Sequence, residues 1–587
     1  MSNEQQNNHD ALGAILAEGG WRTAEGGGRS LDAGAQSPIA NRQSPIALLP
    51  IANRQSRFLP IANSRDTDAM FPPYHPEPYS DFTEPAKRAA YELALAGVAE
   101  RFGAAYPLVI GGDAVETDAT ITSVNPARPD EVIGTIASGG TGEAGEALAA
   151  AWEAFPRWAS LPAVDRARHG VKLAAIMRRN KYELSAIETY EAGKNWLEAE
   201  ADVAEAIDFV DYYARQAVRL AEPLPVVPWP GEENESHLIP MGAGVAIPPW
   251  NFPLAILVGM AIGPVLAGNT LVLKPASSTP IIGARWMEMV AAAGFPAGVI
   301  NYVPGSGGEI GDFLVDHPKT RFVNFTGSKE IGLRIAERSA KVHEGQKWLK
   351  RAFMEMGGKD AMIVDETADL KAAAADAVRS AFGFQGQKCS AASRLILIDS
   401  IHDEVLDMVV EGASALEIGP PKDDFAVGPV ISATQHQSIL GEIAKGTKEA
   451  KAVAGGAAVD RDGGWYLQPT VFAEVSPDAR LAQHEIFGPV LSVIRAADFD
   501  EAIEIANGTE FGLTGGVYSR DRSRIERARR DFHVGNLYVN RKITGALVGV
   551  QPFGGFNMSG SNAKAGGPDY LRLFMEMKSV TERWIAP

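Results

Sequence analysis

Hydrophobic and polar residues follow helical and strand periods along most of this chain. They predict a helical region at 84–102 and a strand hairpin at 106–122. Four amphipathic helices are then predicted at 142–158, 163–180, 183–192 and 198–220. Strand and helix alternate from Val245 to Val323 and again from Met362 past Val539, which is the βαβ rhythm of doubly wound sheets. The pattern therefore predicts an α/β fold with two doubly wound α/β domains and a cleft between them.

The segment 241–273 carries no charged side chain and could be mistaken for a membrane span. Four prolines interrupt it, however, and a spanning helix tolerates one such breaker more readily than four. We instead predict a buried strand at 244–247, a helix at 254–266 and a second strand at 270–273. Charge-free strands of this kind are typical of a parallel sheet that is covered on both faces.

The first 69 residues differ from the rest of the chain. The tetrapeptide Pro-Ile-Ala-Asn occurs at 38–41, 50–53 and 60–63, in a stretch without a periodic apolar face. We predict that residues 1–69 are a disordered, low-complexity extension. The repeat is either a functional tether or duplicated non-coding sequence translated from an upstream start, and in the second case Met70 is the natural beginning.

Changes in composition also predict the domain boundaries. The Pro-rich excursion at 222–241 is typical of a β-hairpin arm, and we assign it, with the tail at 565–587, to oligomerisation. Residues 70–221 and 242–357 are assigned to a first domain, and residues 358–564 to a second.

Composition narrows the class of function. The 587 residues carry a formal net charge of −18, which disfavours binding to nucleic acid and to anionic membranes. One cysteine in so long a chain fits a reducing compartment. We expect no secretory signal, because no basic stretch followed by an apolar core opens the sequence. Together these observations predict a cytoplasmic protein without membrane insertion.

Cys389, the single cysteine, stands in the segment Gly386-Gln387-Lys388-Cys389-Ser390. A lone thiol forms no internal disulfide and is too little for a cysteine metal site, so it is either buried filler or a nucleophile. Glycine, amides, a cation and a hydroxyl flank it instead of an apolar run, which favours the nucleophile. The positive charge of Lys388 is expected to favour the reactive thiolate.

Further polar residues stand where predicted strands end. Asn251, Lys274 and Gly327-Ser328 follow three such strands, and active sites of open α/β sheets lie at strand ends. Lys274 can meet an anion or a ribose, and the helix after Ser328 can meet a phosphate. Each residue also has a purely structural alternative. Asn251 could be a turn residue, Lys274 a surface lysine and Ser328 an ordinary helix N-cap. Glu355 lies beside the flexible pair Gly357-Gly358, and its alternative is a loop carboxylate in water.

Taken together, these residues resemble the aldehyde dehydrogenase superfamily from about residue 84 to the C-terminus. The family's order and spacing are matched by Asn251, Lys274, Gly327-Ser328, Glu355, Cys389 and Glu485. The segment Glu485-Ile486-Phe487-Gly488-Pro489 is similar to the one that holds the nicotinamide ribose and ring in that family. The resemblance implies that the first domain is a Rossmann-like NAD-binding domain and the second the catalytic domain.

The C-terminal part is similar to the Δ1-pyrroline-5-carboxylate dehydrogenase branch of the superfamily. The similarity lies in the segments 544–556 and 559–571, with Thr544-Gly545-Ala546 and Pro552-Phe553-Gly554-Gly555-Phe556. Enzymes of this branch oxidise L-glutamate γ-semialdehyde, the open form of 1-pyrroline-5-carboxylate, to L-glutamate in proline degradation. The branch implies that the α-carboxylate and the aliphatic part of the substrate contact Ser390, Gly545 and Ala546, and Phe252 and Phe553, respectively.

The resemblance also implies a mechanism that needs no metal. The Cys389 thiolate attacks the aldehyde carbon, while the Asn251 side chain and the Cys389 backbone N–H stabilise the oxyanion of the thiohemiacetal. Hydride transfer to the nicotinamide leaves a thioester, and Glu355 activates the water that hydrolyses it.

The cofactor implied by the resemblance is NAD. Lys274 is expected to bind the adenine ribose, Ser328 with Gly327 the pyrophosphate, and Glu485 and Phe487 the nicotinamide end. Many NAD-preferring relatives carry a glutamate three residues after the lysine, where its charge repels a 2′-phosphate. This chain has Ser277 there, so we expect NAD to be preferred and NADP to be tolerated.

Two alternative functions remain open. One is the oxidation of another semialdehyde, such as succinic semialdehyde, whose carboxylate would favour cationic side chains over a Gly-Ala turn. The other is a structural role as an inactive relative. We further expect a homodimer or a higher homo-oligomer. A proline dehydrogenase that supplies the substrate is expected on a separate chain, because the first 69 residues cannot form a barrel domain.

Overall fold

The computed structural model describes residues 71–584. The predicted disordered extension at 1–69, and Met70 with it, lie outside the described residues. Within them helices alternate with parallel strands, and the predicted α/β class is confirmed. Among residues 71–584, no helix combines the length and the apolar composition needed to cross a membrane.

The part of the described chain before residue 221 is mostly helical. Its helices are α1 Pro85–Ala99, α2 Thr141–Ser160, α3 Ala163–Arg179, α4 Lys181–Glu191 and α5 Trp196–Leu220. Its strands are β1 Ala104–Tyr106, β2 Leu108–Ile110, β3 Asp113–Val115, β4 Thr120–Asn125 and β5 Arg128–Ala137. β2 and β3 form the predicted hairpin, whereas β1, β5 and β4 form a separate three-stranded sheet.

The chain from residue 232 to residue 355 contributes five strands to a first seven-stranded sheet, which also includes β2 and β3. The elements are β6 Glu232–Pro240, β7 Ala243–Ile247, α6 Ala255–Leu266, β8 Thr270–Leu273, α7 Pro280–Ala293, β9 Ile300–Tyr302, α8 Asp312–Asp316, β10 Phe322–Thr326, α9 Lys329–Ala340 and β11 Arg351–Glu355. The spatial order is β11-β10-β7-β8-β9-β2-β3, and β7 to β11 are parallel. Every residue of β8 is buried, as expected for a charge-free strand covered on both faces.

β7 is the first of the parallel strands in the chain, yet it lies between β10 and β8. The connections therefore leave β7 in opposite directions on its two sides. Ligands of doubly wound folds bind in the crevice at the carboxyl ends of strands where the order reverses in this way. The crevice between the ends of β7 and β10 is accordingly the place to look for a ligand.

A second seven-stranded sheet is built from the remaining chain. The elements are β12 Asp360–Val364, α10 Leu370–Phe382, β13 Ala392–Ile398, α11 His402–Ser414, α12 Ala433–Gly446, β14 Lys451–Ala454, β15 Ala458–Val459, β16 Tyr466–Leu467, β17 Thr470–Ala473, α13 Arg480–Gln483, β18 Val490–Ala496, α14 Phe499–Asn507, β19 Phe511–Gly512, β20 Thr514–Tyr518, α15 Arg522–Asp531, β21 Asn536–Val539, β22 Phe556–Asn557 and β23 Met575–Arg583. The spatial order is β14-β17-β18-β13-β12-β20-β21. Only the pair β14–β17 is antiparallel among these neighbours.

The chain passes directly from one sheet to the other. β11 ends at Glu355, at the carboxyl edge of the first sheet, and β12 begins at Asp360, at the amino edge of the second. Asp360 pairs with Ala392, so the segment before β13, which contains Cys389, lies at that same amino edge. Opposite edges of the two sheets therefore meet at the link 356–359.

The two segments assigned to oligomerisation meet in the structure. β6 and β23 pair antiparallel over their whole length, from Pro240 with Met575 to Glu232 with Arg583. The arm is thus a two-stranded ribbon whose strands come from distant parts of the chain, and not from one local hairpin.

Candidate active site

A cavity of about 460 Å³ opens between the carboxyl edge of the first sheet and the amino edge of the second. Its size is typical of a ligand pocket. Residues that follow β7, β10 and β11 line one side, and residues that precede β13 and β18 line the other. The predicted site residues that the cavity brings together are Asn251, Gly327, Ser328, Cys389, Glu485 and Phe487.

Asn251 connects the two sides of the cavity. Its side chain is buried, and its Nδ2 donates a hydrogen bond of 3.0 Å to the backbone carbonyl of Gln387, two residues before Cys389. A primary amide has two N–H donors. One hydrogen of Asn251 therefore holds the cysteine segment, and the second remains to donate to a ligand in the cavity.

Cys389 follows a tight turn with an uncommon backbone. Phe384 and Gln385 both lie in the left-handed region, with φ of 49° and 55°. Residues other than glycine adopt this conformation at a cost of about 1–3 kcal/mol each, and such positions cluster at functional sites. The turn leaves Cys389 half-buried, with its side chain at the cavity wall.

The electrostatic surroundings of Cys389 differ from the prediction. Burial raises the pKa of its thiol, and the negative charges of Asp360, Glu485 and Glu355 raise it further. The expectation that Lys388 favours the thiolate is wrong. The Lys388 ammonium donates to both carboxylate oxygens of Glu198, at 2.7 and 2.6 Å, so its charge is compensated by that ion pair. A thiol with a raised pKa becomes a nucleophile only when its proton passes to a base.

Glu355 ends β11, and its carboxylate faces backbone amides. Oε1 accepts from the N–H of Ala563 and Oε2 from the N–H of Gly555, both at 2.9 Å. The next residues, Met356 and Gly357, line the cavity, whereas the Glu355 carboxylate does not. Burial raises its pKa to about 7. A carboxyl group with that pKa is suited to general base catalysis near neutral pH.

Glu485 and Phe487 close the cavity from the second sheet. Glu485 accepts a hydrogen bond of 2.9 Å from the backbone N–H of Gly358, and burial raises its pKa to about 7. A Cβ at position 357 would collide with the Glu485 carboxylate, so a residue larger than glycine there would force that carboxylate to move. Phe487 has a left-handed φ of 57°, and its ring packs edge-on against Trp250 at 5.5 Å.

Four residues are predicted to bind the pyrophosphate and the adenosine end of the cofactor, and two of them line the cavity while the other two do not. Gly327 and Ser328 line the cavity, and Ser328 caps α9 by accepting from the N–H of Ile331 at 3.4 Å. Lys274 is buried outside the cavity lining, donates to the Pro275 carbonyl at 3.0 Å, and has its pKa lowered to about 8 by burial. Ser277 is exposed beside it.

The five predicted substrate residues do not line the cavity either. Ser390 is buried, and Gly545 is exposed and has a φ of 75°, which favours glycine. Ala546 and Phe553 are half-buried, and the two residues after Phe553 approach the Glu355 carboxylate. Phe252 is half-buried next to Asn251. The contact of these five residues with a substrate stays a prediction.

Comparison with known proteins now identifies the family. The family model described as "Aldehyde dehydrogenase family" matches residues 114–580. The chain belongs to the aldehyde dehydrogenase family. It is 53% identical over 514 residues to a 1-pyrroline-5-carboxylate dehydrogenase of Geobacillus sp. (strain WCH70), which covers 87% of this chain and 100% of the relative.

The chain is also similar to solved structures. The structure of 1-pyrroline-5-carboxylate dehydrogenase from Thermus with bound NAD is similar at a TM-score of 0.87 and 56% identity, covering 88% of this chain and 100% of that one. Proline utilization A from Bdellovibrio bacteriovorus is similar at a TM-score of 0.85 and 45% identity. That match covers 87% of this chain and 53% of the longer protein.

A buried ionic cluster lies behind the site of this aldehyde dehydrogenase family member and was not predicted from the sequence. Lys194 pairs with Glu188 at 2.9 Å and, more closely still, with Asp202, and all three side chains are fully buried. The residues come from α4, α5 and the turn between them, whose charges are read from sequence as a solvated helix face. One feature of the sequence could have indicated this buried cluster: Asp202 interrupts the apolar stripe of α5.

Proposed function

We propose that this chain oxidises L-glutamate γ-semialdehyde, formed from 1-pyrroline-5-carboxylate, to L-glutamate with NAD. The observation that carries the proposal is the joining of Asn251 to the Cys389 segment at a cavity that also holds the start of α9. The relatives that are about half identical over nearly the whole chain bear the name of this activity.

Cys389 is the proposed nucleophile and Asn251 the main oxyanion donor. The sulfur forms a bond to the aldehyde carbon, the thiol proton passes to a base, and the carbonyl oxygen gains the negative charge. The second N–H of Asn251 and the backbone N–H of Cys389 stabilise that charge. Because Asn251 is buried and already anchored by Gln387, its donor is fixed before the reaction begins.

Glu355 is the proposed base for the hydrolytic step. After the hydride has left, a thioester joins the acyl group to Cys389, and water must attack it. The Glu355 carboxylate, whose pKa burial raises to about 7, accepts the proton of that water. To reach a water beside the acyl carbon, the carboxylate must leave the amides of Gly555 and Ala563, so we infer a rotation of this side chain during turnover.

The residues of the cavity fit a dinucleotide. The crevice between β7 and β10 is a topological switch point, and the start of α9 offers backbone N–H groups for a pyrophosphate. Ser328 and Gly327 would hold the phosphates, Lys274 and Ser277 the adenosine end, and Glu485 and Phe487 the nicotinamide end. When bound, NAD accepts the hydride of the aldehyde carbon. NAD is the proposed cofactor, with NADP tolerated.

Substrate choice is proposed to depend on five residues around Cys389. The Gly545-Ala546 turn and Ser390 would bind the α-carboxylate, because small residues let backbone amides approach an anion closely. Phe252 and Phe553 would cover the aliphatic part. The second candidate substrate is a different semialdehyde, such as succinic semialdehyde, whose carboxylate would favour cationic side chains over the Gly545-Ala546 segment.

The domain roles follow from the same proposal. Residues 70–221 and 242–357 would form the NAD-binding domain and 358–564 the catalytic domain. Val227, Trp229, Met577 and Trp584 on the arm are 88%, 67%, 67% and 63% exposed, which favours a homo-oligomer formed through 222–241 and 565–587. We propose a cytoplasmic enzyme that is supplied by a separate proline dehydrogenase.

The test is NADH formation with 1-pyrroline-5-carboxylate, beside succinic semialdehyde and an aliphatic aldehyde, with Cys389→Ala as the control. Preference for the pyrroline that is lost in the variant would support both substrate and nucleophile. Preference for another aldehyde would overturn the assignment of the Gly545-Ala546 turn. No turnover of any aldehyde by folded protein would favour an inactive relative.

A further inference from the structure

We propose that Lys194 is a positioning residue that holds the Asn251 segment and the Cys389 segment in one fixed geometry. The proposal rests on the function proposed above and adds a residue that lies behind the reacting groups. It is carried by a closed ring of contacts that passes through both segments.

The first part of the ring is the ionic cluster. Lys194 is 1% exposed and is paired with Glu188 and Asp202. Asp202 also accepts, through Oδ1, a hydrogen bond of 2.5 Å from the backbone N–H of Ala255, the first residue of α6. The start of the helix that follows Asn251 and Phe252 is therefore fastened to the partner of Lys194.

The second part consists of two aromatic rings. The Lys194 ammonium lies 4.6 Å from the ring centroid of Phe252 and 5.0 Å from that of Phe384. Both distances are within the range of cation–π attraction. Phe252 is the neighbour of Asn251, and Phe384 is a left-handed residue of the turn before Cys389. One ammonium group thus contacts both segments.

Backbone and amide bonds complete the ring. Gln387 donates from its N–H to the Phe384 carbonyl at 3.0 Å, and its own carbonyl accepts from Asn251 Nδ2 at 3.0 Å. The path from Lys194 through Phe384, Gln387 and Asn251 returns to Lys194 through Phe252. An apolar side chain would fill the space without any desolvation penalty, but it would attract neither ring nor Asp202.

Lys194→Met tests the proposal, because methionine keeps an unbranched stem and removes the charge. Burial and the nearby Asp202 charge raise the pKa of Glu188, so Glu188 can hold a proton in this variant and two bare carboxylates need not face each other. The matched control is Arg166→Met. Arg166 is a buried cation of the same domain that donates to the carbonyls of Leu161 and Leu266, away from the site.

The readouts separate positioning from stability. We expect Lys194→Met to lower kcat/KM for the pyrroline by ten- to a hundredfold, the effect on the order of what a small misplacement of reacting groups causes, with the KM for NAD within about twofold. Arg166→Met should lower Tm yet keep kcat/KM within about twofold. Equal kcat/KM in the two variants would overturn the proposal.

A double variant tests whether Lys194 acts through the ring of Phe384. Phe384→Leu keeps every ion pair, so it also serves if Lys194→Met fails to fold. If both residues belong to one ring of contacts, Lys194→Met with Phe384→Leu should lower kcat/KM no further than the worse single variant. Multiplied losses would mean that the residues act independently and would refute the coupling.

The single thiol provides a readout that does not depend on turnover. Because the chain has one cysteine, the alkylation rate with iodoacetamide reports on Cys389 alone. We expect this rate to change by about threefold or more in Lys194→Met and to stay unchanged in Arg166→Met. If the wild type oxidises no pyrroline, the proposed function fails while this rate still judges the role of Lys194. An unchanged rate in both variants would overturn it.

Discussion

The two large sheets contribute to the cavity from opposite edges. In the first sheet, Asn251, Gly327 and Glu355 follow β7 and β10 or end β11, at the carboxyl edge. In the second, Cys389 and Glu485 precede β13 and β18, at the amino edge. The rule that ligands bind at the carboxyl ends of parallel strands therefore holds for one sheet and fails for the other.

This difference has a simple cause in the chain path. β11 runs toward the cleft and ends there. After a link of four residues, 356–359, β12 begins at the cleft and runs away from it. A strand that leaves the cleft presents its amino end to it, and its parallel neighbours do the same. The carboxyl edge of the first sheet has a switch-point crevice and a helix start at which we propose that a nucleotide binds, whereas the amino edge of the second carries Cys389, the proposed nucleophile. The variants below test that division of labour.

Removal of Cys389, the proposed nucleophile, should have the largest effect. Cys389→Ala should lower kcat with 1-pyrroline-5-carboxylate by about 10⁴-fold or more, because loss of a nucleophile removes the covalent route altogether. Its Kd for NAD, measured by calorimetry, should change little if the first sheet carries nucleotide binding. A large loss of NAD affinity would show that nucleotide binding is not confined to the first sheet.

The two buried carboxylates, one at each edge, provide the second test. Burial raises the pKa of Glu355 and of Glu485 to about 7 in both cases. A base works only when ionised, so kcat should fall as the pH drops below about 7 in the wild type. Glu355→Gln should lower kcat by about 10²–10⁴-fold and abolish that fall.

Glu485→Gln is the matched variant for this pH profile. It removes a carboxyl group with the same raised pKa, one that accepts from Gly358 and closes the cavity. We expect it to raise the KM for NAD and to retain the fall of kcat below about pH 7. If the fall disappears in Glu485→Gln and persists in Glu355→Gln, the assignment of the base is wrong.

Asn251 crosses the division between the edges, because it follows a strand of the first sheet and binds the cysteine segment of the second. Asn251→Ala should lower kcat by about 10²–10³-fold, the usual loss for one oxyanion donor. Asn324→Ala is the control, since Asn324 is a buried asparagine of β10 whose side-chain amide donates to the Met260 carbonyl and the Tyr570 hydroxyl. Equal kcat losses in the two variants would reduce Asn251 to a packing residue.

The same comparison explains how far the sequence could predict the molecule. The charge-free segment and its prolines predicted the strand at 270–273 with its observed bounds, and the rule for strand ends selected Asn251, Lys274 and Gly327-Ser328. At the amino edge that rule gives nothing, so Glu485 and Phe487 were found only through the family resemblance, and Cys389 through its being alone. Their roles, like those of the other site residues, stay predictions.

Contacts between distant segments could not be predicted in the same way. Lys388 and Glu198 are 190 residues apart in sequence, and nothing local to Lys388 indicates that its charge is compensated. The pairing of β6 with β23 and the Lys194 cluster are equally non-local. Local composition predicts which residues are charged, but only the fold decides which charges meet.

Exchange of Ser277 should have the smallest effect and the most selective one. Ser277 lies three residues after Lys274, is exposed, and is distant in the chain from the nucleophile. Ser277→Glu places a negative charge where the 2′-phosphate of NADP is proposed to bind, so the KM for NADP should rise by about tenfold, equivalent to about 1.4 kcal/mol of repulsion. With NAD, kcat should be unchanged, because the amino edge that carries Cys389 is untouched.

Ser277→Gln, of similar size without the charge, separates repulsion from bulk. If the glutamine variant discriminates against NADP as strongly as the glutamate variant, or if kcat with NAD falls in either, position 277 acts through shape and the electrostatic account of cofactor choice is wrong.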